Sequence, residues 1–279
     1  MIKKRTKWGV LAEILANVLT VFTHWLVFYF VIVNACKSNI EASRLSLILP
    51  SDFQLWENIK YVLSYRNFSF LKSFWISFRI TFFAMLTLVL TASSAAFVME
   101  RRKSSFICKS SDKLIVACLT IPANVITTYF VLRLLHVDNT LLGLILVQVA
   151  ALFPFCTMMY KGFIATIPTD IDEAAVIDGC GSFALFWRII FPILKPVSAS
   201  ILVLRSIVVF NDFQNAQYYL SGSASQTVQI CVYVFKAAFA TKWAYLFTAS
   251  ILASVPLLIM YALFNKKILE GMTSGAVKG

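Results

Sequence analysis

Apolar runs long enough to cross a lipid bilayer dominate this chain and leave it few folds to choose from. From Val10 to Ala35, Glu13 is the one formal charge. About 20 mainly apolar residues in a helix span the hydrocarbon layer, and only helices or closed barrels satisfy their backbone there. Runs of this kind lie at 10–35, 74–98, 114–135, 141–160, 197–210 and 245–264. They predict an all-α integral membrane protein with six transmembrane helices. The fifth is short, between Pro192/Pro196 and Asn211-Asp212, and 228–240 is better sized for a re-entrant or interfacial helix than for a span.

Composition agrees. Of 279 residues, 59 % are hydrophobic and 14 % charged, with 25 Phe, against roughly 45–50 % and about 25 % in ordinary soluble chains. The net charge of +12 therefore points to a membrane face and not to nucleic acid. The basic start followed by an apolar run imitates a signal peptide, but the run is longer than an h-region, so a retained first helix is expected. Lys3, Lys4, Arg5 and Lys7 precede the first run, and Arg101, Arg102, Lys103, Lys109 and Lys113 follow the second. Lys161, Arg188 and Lys195 follow the fourth, and Lys266, Lys267 and Lys278 the sixth. By the positive-inside rule these segments, and both termini, are expected in the cytoplasm. The cysteines are scattered without a C-x-x-C pair, which argues against a disulfide framework or a metal site. No segment between runs is long enough to bury a core of its own. Neither a phosphate-binding G-x-x-x-x-G-K-[ST] loop nor a catalytic cluster is present, so no catalytic residue, cofactor or metal is assigned.

Ordered chemistry gathers between the fourth and fifth runs, in Ile167-Pro168-Thr169-Asp170-Ile171-Asp172-Glu173-Ala174-Ala175-Val176-Ile177-Asp178-Gly179. Pro168 sets a helix start, and Thr169 with Asp172 three residues on reads as a capping box. Asp170, Asp172 and Glu173 put negative charge in the first turn, where the helix dipole favours it. Ala174 and Ala175 are small enough for a partner surface to approach the backbone. Gly179 and Gly181 read as the corner that ends the helix, and Ser182 as the cap of a second short helix over 183–190 that stops at Pro192. Two short helices at a glycine corner make a knob, not a span.

The spacing of this segment resembles the EAA loop of type I ABC importer permeases, which reads E-A-A, three residues, Gly, nine residues, I-x-L-P. Here Glu173-Ala174-Ala175 is followed at that spacing by Gly179 and by Ile189-Ile190-Phe191-Pro192, with Phe for Leu. Asn139-Thr140-Leu141-Leu142-Gly143 is similar to the N-T-x-x-G segment of carbohydrate importers, and Asn211-Asp212-Phe213 to their W-N-D-F turn. The ending Gly271 to Gly279 is similar to that of the maltose-permease-G-like branch. The resemblance implies a type I importer membrane domain over 72–264, with the coupling loop at about 164–192. Residues 1–71 are expected to form a cytoplasmic tail, first helix and first external loop, and 265–279 a cytoplasmic tail.

By that resemblance Glu173, Ala174, Ala175, Asp178 and Gly179 belong to an ATPase-coupling loop. Ser274, Gly275, Ala276, Val277, Lys278 and Gly279 belong to a tail that contacts the ATPase. The implied partners are a second, non-identical permease, a cytoplasmic ATPase dimer, an extracellular sugar-binding protein and membrane lipid. The implied solute is a sugar or oligosaccharide, with a related polar solute such as glycerol phosphate left open. Arg205 is a cation inside an apolar run, a functional candidate by default. Together with Asn211 and Asp212 it is a candidate for the translocation path or its gate. Gln148 and Asn124 read as interhelical hydrogen-bonding residues. A secondary carrier would call for an internal repeat and a coupling acid within a span, and Glu13 is the one acid inside any run.

Overall fold

A computed structural model describes residues 7–121, 124–220, 225–237 and 242–273. Among these residues the regular structure is helical. The chain opens with α1 (Lys7–Ala35), the short α2 (Asn39–Ala42) and α3 (Leu55–Arg101). It continues through α4 (Phe106–Thr120), α5 (Val125–Leu134), α6 (Leu141–Ile164) and α7 (Asp170–Ile177). Then come α8 (Ser182–Ile193), α9 (Lys195–Phe210), α10 (Gln214–Tyr219), α11 (Val228–Ala237) and α12 (Trp243–Thr273).

Four helices among the described residues are long and apolar enough to cross a membrane: Glu13–Ala35, Leu55–Arg101, Leu141–Ile164 and Trp243–Phe264. A fifth crossing exists if α8 and α9, bent by 70° at their junction, act as one broken span. The expected span over 114–135 is not one helix but two, α4 and α5. Ile121 closes α4 in an extended conformation (φ −83°, ψ 119°), as steric crowding demands of a residue before proline. Pro122 and Ala123 lie outside the described residues. Asn124 then caps α5, its side chain accepting from the Ile126 and Thr127 N–H groups. Asn124 is therefore a helix cap, not the interhelical bridge expected of it.

The chain divides into two compact units. One comprises residues 1–72 and 231–255. Its expected external loop is more ordered than the sequence suggests: α3 starts at Leu55 and breaks over 65–68, where Arg66, Asn67 and Phe68 take positive φ. Phe30 meets Phe247 edge-on at 5.5 Å, and Tyr61 stacks on Tyr245 at 3.9 Å. Lys37, fully buried, donates to the Ser46 carbonyl at 2.8 Å and the Ser46 hydroxyl at 3.0 Å. Asn58 donates to the Ala35 and Lys37 carbonyls, each at 2.9 Å, and so ties off the end of α1.

The second unit comprises residues 73–230 and 256–279 and holds the candidate site. Its core repeats along one face of each helix: Ile80, Ala84, Leu88, Ala92 and Ala96 of α3, and Leu144, Leu152, Cys156, Tyr160 and Ile164 of α6. Spacing by about four residues is what a helix needs to keep one stripe turned inward. The small residues on α3 let neighbouring backbones approach closely, the usual device where lipid removes the hydrophobic drive for helices to associate. Tyr160 donates to the Ser198 hydroxyl at 2.8 Å, linking α6 to α9.

Candidate functional site

The knob forms where the sequence places it, but its first turn is built differently. Thr169 is itself helical (φ −68°, ψ −21°) and makes no side-chain cap. Its carbonyl instead accepts the N–H groups of Asp172 at 2.9 Å and Glu173 at 3.1 Å. The capping box is absent because Asp172 is engaged elsewhere: its Oδ2 lies 2.6 Å from Nε of Arg101, the last residue of α3. Both terminal nitrogens of the same guanidinium donate to the Ile167 carbonyl at 3.2 Å.

The other end of α7 follows expectation closely. Gly179 has φ +82°, a left-handed conformation that costs an L-residue roughly 1–2 kcal/mol. The Gly179 N–H bonds the Val176 carbonyl at 3.0 Å, and the Cys180 N–H bonds the Ala175 carbonyl at 2.9 Å. This pair of bonds is the Schellman closure that satisfies the last orphan carbonyls of a helix. Gly181 is extended (φ −71°, ψ 159°) and caps α8 in place of Ser182, so the corner needs its glycine only at 179.

Which side of α7 faces outward is decided by packing. Glu173, Ala174, Asp178 and Gly179 are exposed, whereas Ala175 is buried in the core beside Ile171 and Cys180. Of the two small residues, Ala174 alone offers a surface; Ala175 seats the helix. The outward side also carries Val176, Ile177 and Phe183, the last two 85 % and 78 % exposed. Sequence reasoning passed over Ile177 and Phe183, although Ile177 shares a face with Glu173 and Ala174 at helical spacing. Beneath the knob, α8 winds as a π-helix over Leu185–Ile190, a rare form met often at functional sites. Its Phe186 packs on Phe97 of α3 at 5.3 Å. The tail residues Ser274, Gly275, Ala276, Val277, Lys278 and Gly279 lie outside the described residues.

The three candidates for path or gate do not form one cluster. The Arg205 guanidinium lies 3.9 Å from the Phe155 ring centre, a cation–π contact that suits a cation in a poorly hydrated place. Asn211 accepts from the Gln229 side chain at 3.0 Å. The Asp212 carboxylate accepts from the Gln148 side chain and from the Asn215 N–H at 3.1 Å. Gln148, 4 % exposed, is thus the interhelical bridge that its place in an apolar run suggests. Arg205 and Asp212 touch α6 two turns apart, at Phe155 and Gln148. Near Asp212 a cavity of about 310 Å³ is lined by Val125, Thr128, Leu132, Asn215 and Tyr219, with the Tyr219 hydroxyl donating to the Val125 carbonyl at 3.2 Å.

Residues 89–270, which contain both the knob and the Gln148–Asp212 bridge, match the family of binding-protein-dependent transport system inner membrane components. The chain belongs to this family. It is similar over its whole length to the melibiose/raffinose/stachyose import permease protein MelC of Bacillus subtilis (strain 168), at 30 % identity covering 99 % of each chain. It is 28 % identical, over 90 % of each chain, to the probable starch degradation products transport system permease protein AmyC of Thermoanaerobacterium thermosulfurigenes. Its fold is that of a chain in a bacterial ABC transporter involved in the import of the acidic polysaccharide alginate. The TM-score is 0.78, over 95 % of this chain and 98 % of that one, at 17 % identity. The family is one of ABC importer membrane domains, and the all-helical permease described above is of that type I fold.

Proposed function

We propose that this permease is one of two non-identical membrane subunits of an ATP-driven importer of sugars or oligosaccharides, with α7 as the element that docks on a separate ATPase dimer. The observation that carries the docking role is the outward face of α7. Glu173, Ala174 and Asp178 stand exposed beside Ile177, on a helix closed at Gly179. An exposed apolar edge with acids around it, on a helix anchored to its own core from behind, is suited to a partner's cleft. The sugar class is supported by relatives named for melibiose, raffinose, stachyose and starch degradation products. Solute reaches the path from an extracellular binding protein, the domain runs over 72–264, both termini are cytoplasmic, and the tail from Ser274 to Gly279 makes a second ATPase contact. Arg205, Asn211 and Asp212 line or gate the path.

Two measurements test this. Cells deleted for the chain should lose uptake of at least one of melibiose, raffinose and maltotriose and regain it with the wild-type gene; unchanged uptake of all three overturns the sugar class. Glu173→Lys reverses the charge of the outward face and Gly179→Val strains its corner. Each should reach the membrane normally yet retain less than a tenth of the wild-type ATPase on co-purification. Full retention by both variants overturns the docking role.

A further inference from the structure

The seam between α7 and the long helix α3 is held by one side chain in an otherwise open region. Arg101 ends α3, and its guanidinium reaches two acceptors on the chain entering α7: the Ile167 carbonyl before Pro168, and the Asp172 carboxylate in the first turn. Close packing does not hold this part of the seam. On one side a cavity of about 540 Å³ opens among Glu100, Arg101, Ala165, Ile167 and Thr169. On the other, one of about 650 Å³ opens among Ser94, Phe97, Arg101, Asp172 and Phe183. The ion pair is partly shielded, with 15 % and 16 % of the two side chains exposed.

The charges are also placed where backbone dipoles favour them, a cation at a helix C-terminus and an anion at a helix N-terminus. Elsewhere α7 rests on apolar contacts through Ile171 and Ala175, which are non-directional and allow sliding. A guanidinium bonded to two acceptors fixes both position and angle, and an ammonium cannot copy its planar fork. We infer that Arg101 is the positioning residue that couples α7 to α3: when α7 is displaced, the fork carries that displacement into the last turns of α3 and from there along the core face Ala96, Ala92 and Leu88. The inference rests on the reading of α7 as the docking element.

The test uses the complete importer, co-expressed with its partner subunits, and compares hydrogen exchange with and without ATP plus vanadate. In the wild type, exchange should change in 170–177 and in 88–101. In Arg101→Met the change in 170–177 should persist, while that in 88–101 falls at least fivefold, with ATPase co-purification at the wild-type level. Arg101→Lys, which keeps the charge but not the fork, should fall between, and decides the matter if Arg101→Met does not accumulate. A wild-type-sized response of 88–101 in either variant overturns the inference. So does fully unprotected exchange of 170–177 before nucleotide is added, which would make Arg101 a prop for α7 alone. If 170–177 of the wild type ignores nucleotide altogether, it is the docking reading that fails.

Discussion

Gly143 and Gly179 are required for opposite reasons, and substitutions separate them. A Cβ on Gly143 would lie 2.2 Å from the Val137 carbonyl oxygen, backbone that has no rotamer with which to yield. At Gly179 the same atom would meet nothing within 4 Å, but φ is +82°. Gly143→Ala therefore overpacks a junction that Thr140 has already tightened by accepting the Gly143 N–H at 3.0 Å. It should cost about 1–3 kcal/mol, several degrees in the melting temperature of the detergent-purified permease. Gly179→Ala should cost about 1–2 kcal/mol of conformational strain, felt locally as faster amide exchange at 175–180 with little change in melting temperature. Equal melting shifts for the two would contradict this division. Gly179 was legible in the sequence as a helix stop, because the chain after a helix turns sharply at so few residue types. Gly143 was legible only as part of a motif, since the carbonyl it must clear comes from a loop whose path no local pattern specifies.

At the scale of elements, the bridge from α6 to the turn after α9 is the clearest case of a polar contact that holds apolar helices together. Gln148 is 4 % exposed and donates to Asp212, so removing Asp212 strands a buried amide, whereas the half-buried carboxylate left by removing Gln148 keeps the Asn215 N–H. A buried polar group left without a partner costs about 1–3 kcal/mol. Asp212→Ala and Gln148→Leu should each lower the melting temperature, and the double variant should be less damaged than the sum of the two. A coupling of about 0.5–3 kcal/mol is usual for residues in contact. Strict additivity in thermal unfolding would show that the two do not depend on each other. Gln148 announced itself by being polar in an apolar run. Thr169 and Asp172 illustrate the reverse: their spacing reads as a capping box, yet Arg101, distant in sequence, claims the carboxylate. Local pattern could not show this, because a salt bridge outcompetes a cap only when the fold delivers the cation.

For the whole molecule, the distribution of Lys and Arg sets an expectation about sidedness. A reporter fused after Lys278 should report the cytoplasm, and one inserted near Gly222 the exterior. A swapped result would reverse the proposed orientation and remove α7 from reach of a cytoplasmic ATPase. The apolar surface of α1 makes the same point about environment: Phe22, Trp25 and Val27 are 62 %, 70 % and 63 % exposed, a surface that lipid or a neighbouring membrane subunit must cover.

Helical membrane architecture, the position of the knob and its glycine corner all follow from short-range facts: apolar length, charge at helix ends and the few residues that tolerate positive φ. Those terms act within a turn or two, so the order of residues alone resolves them. The split of the 114–135 run is also written locally, in Pro122, before which Ile121 is extended. Which of Ala174 and Ala175 faces outward, and which acceptors Arg101 takes, were settled only by tertiary packing. Both depend on where α3, α6 and α8 bring surfaces together from far along the chain, and no periodicity within a single element carries that information.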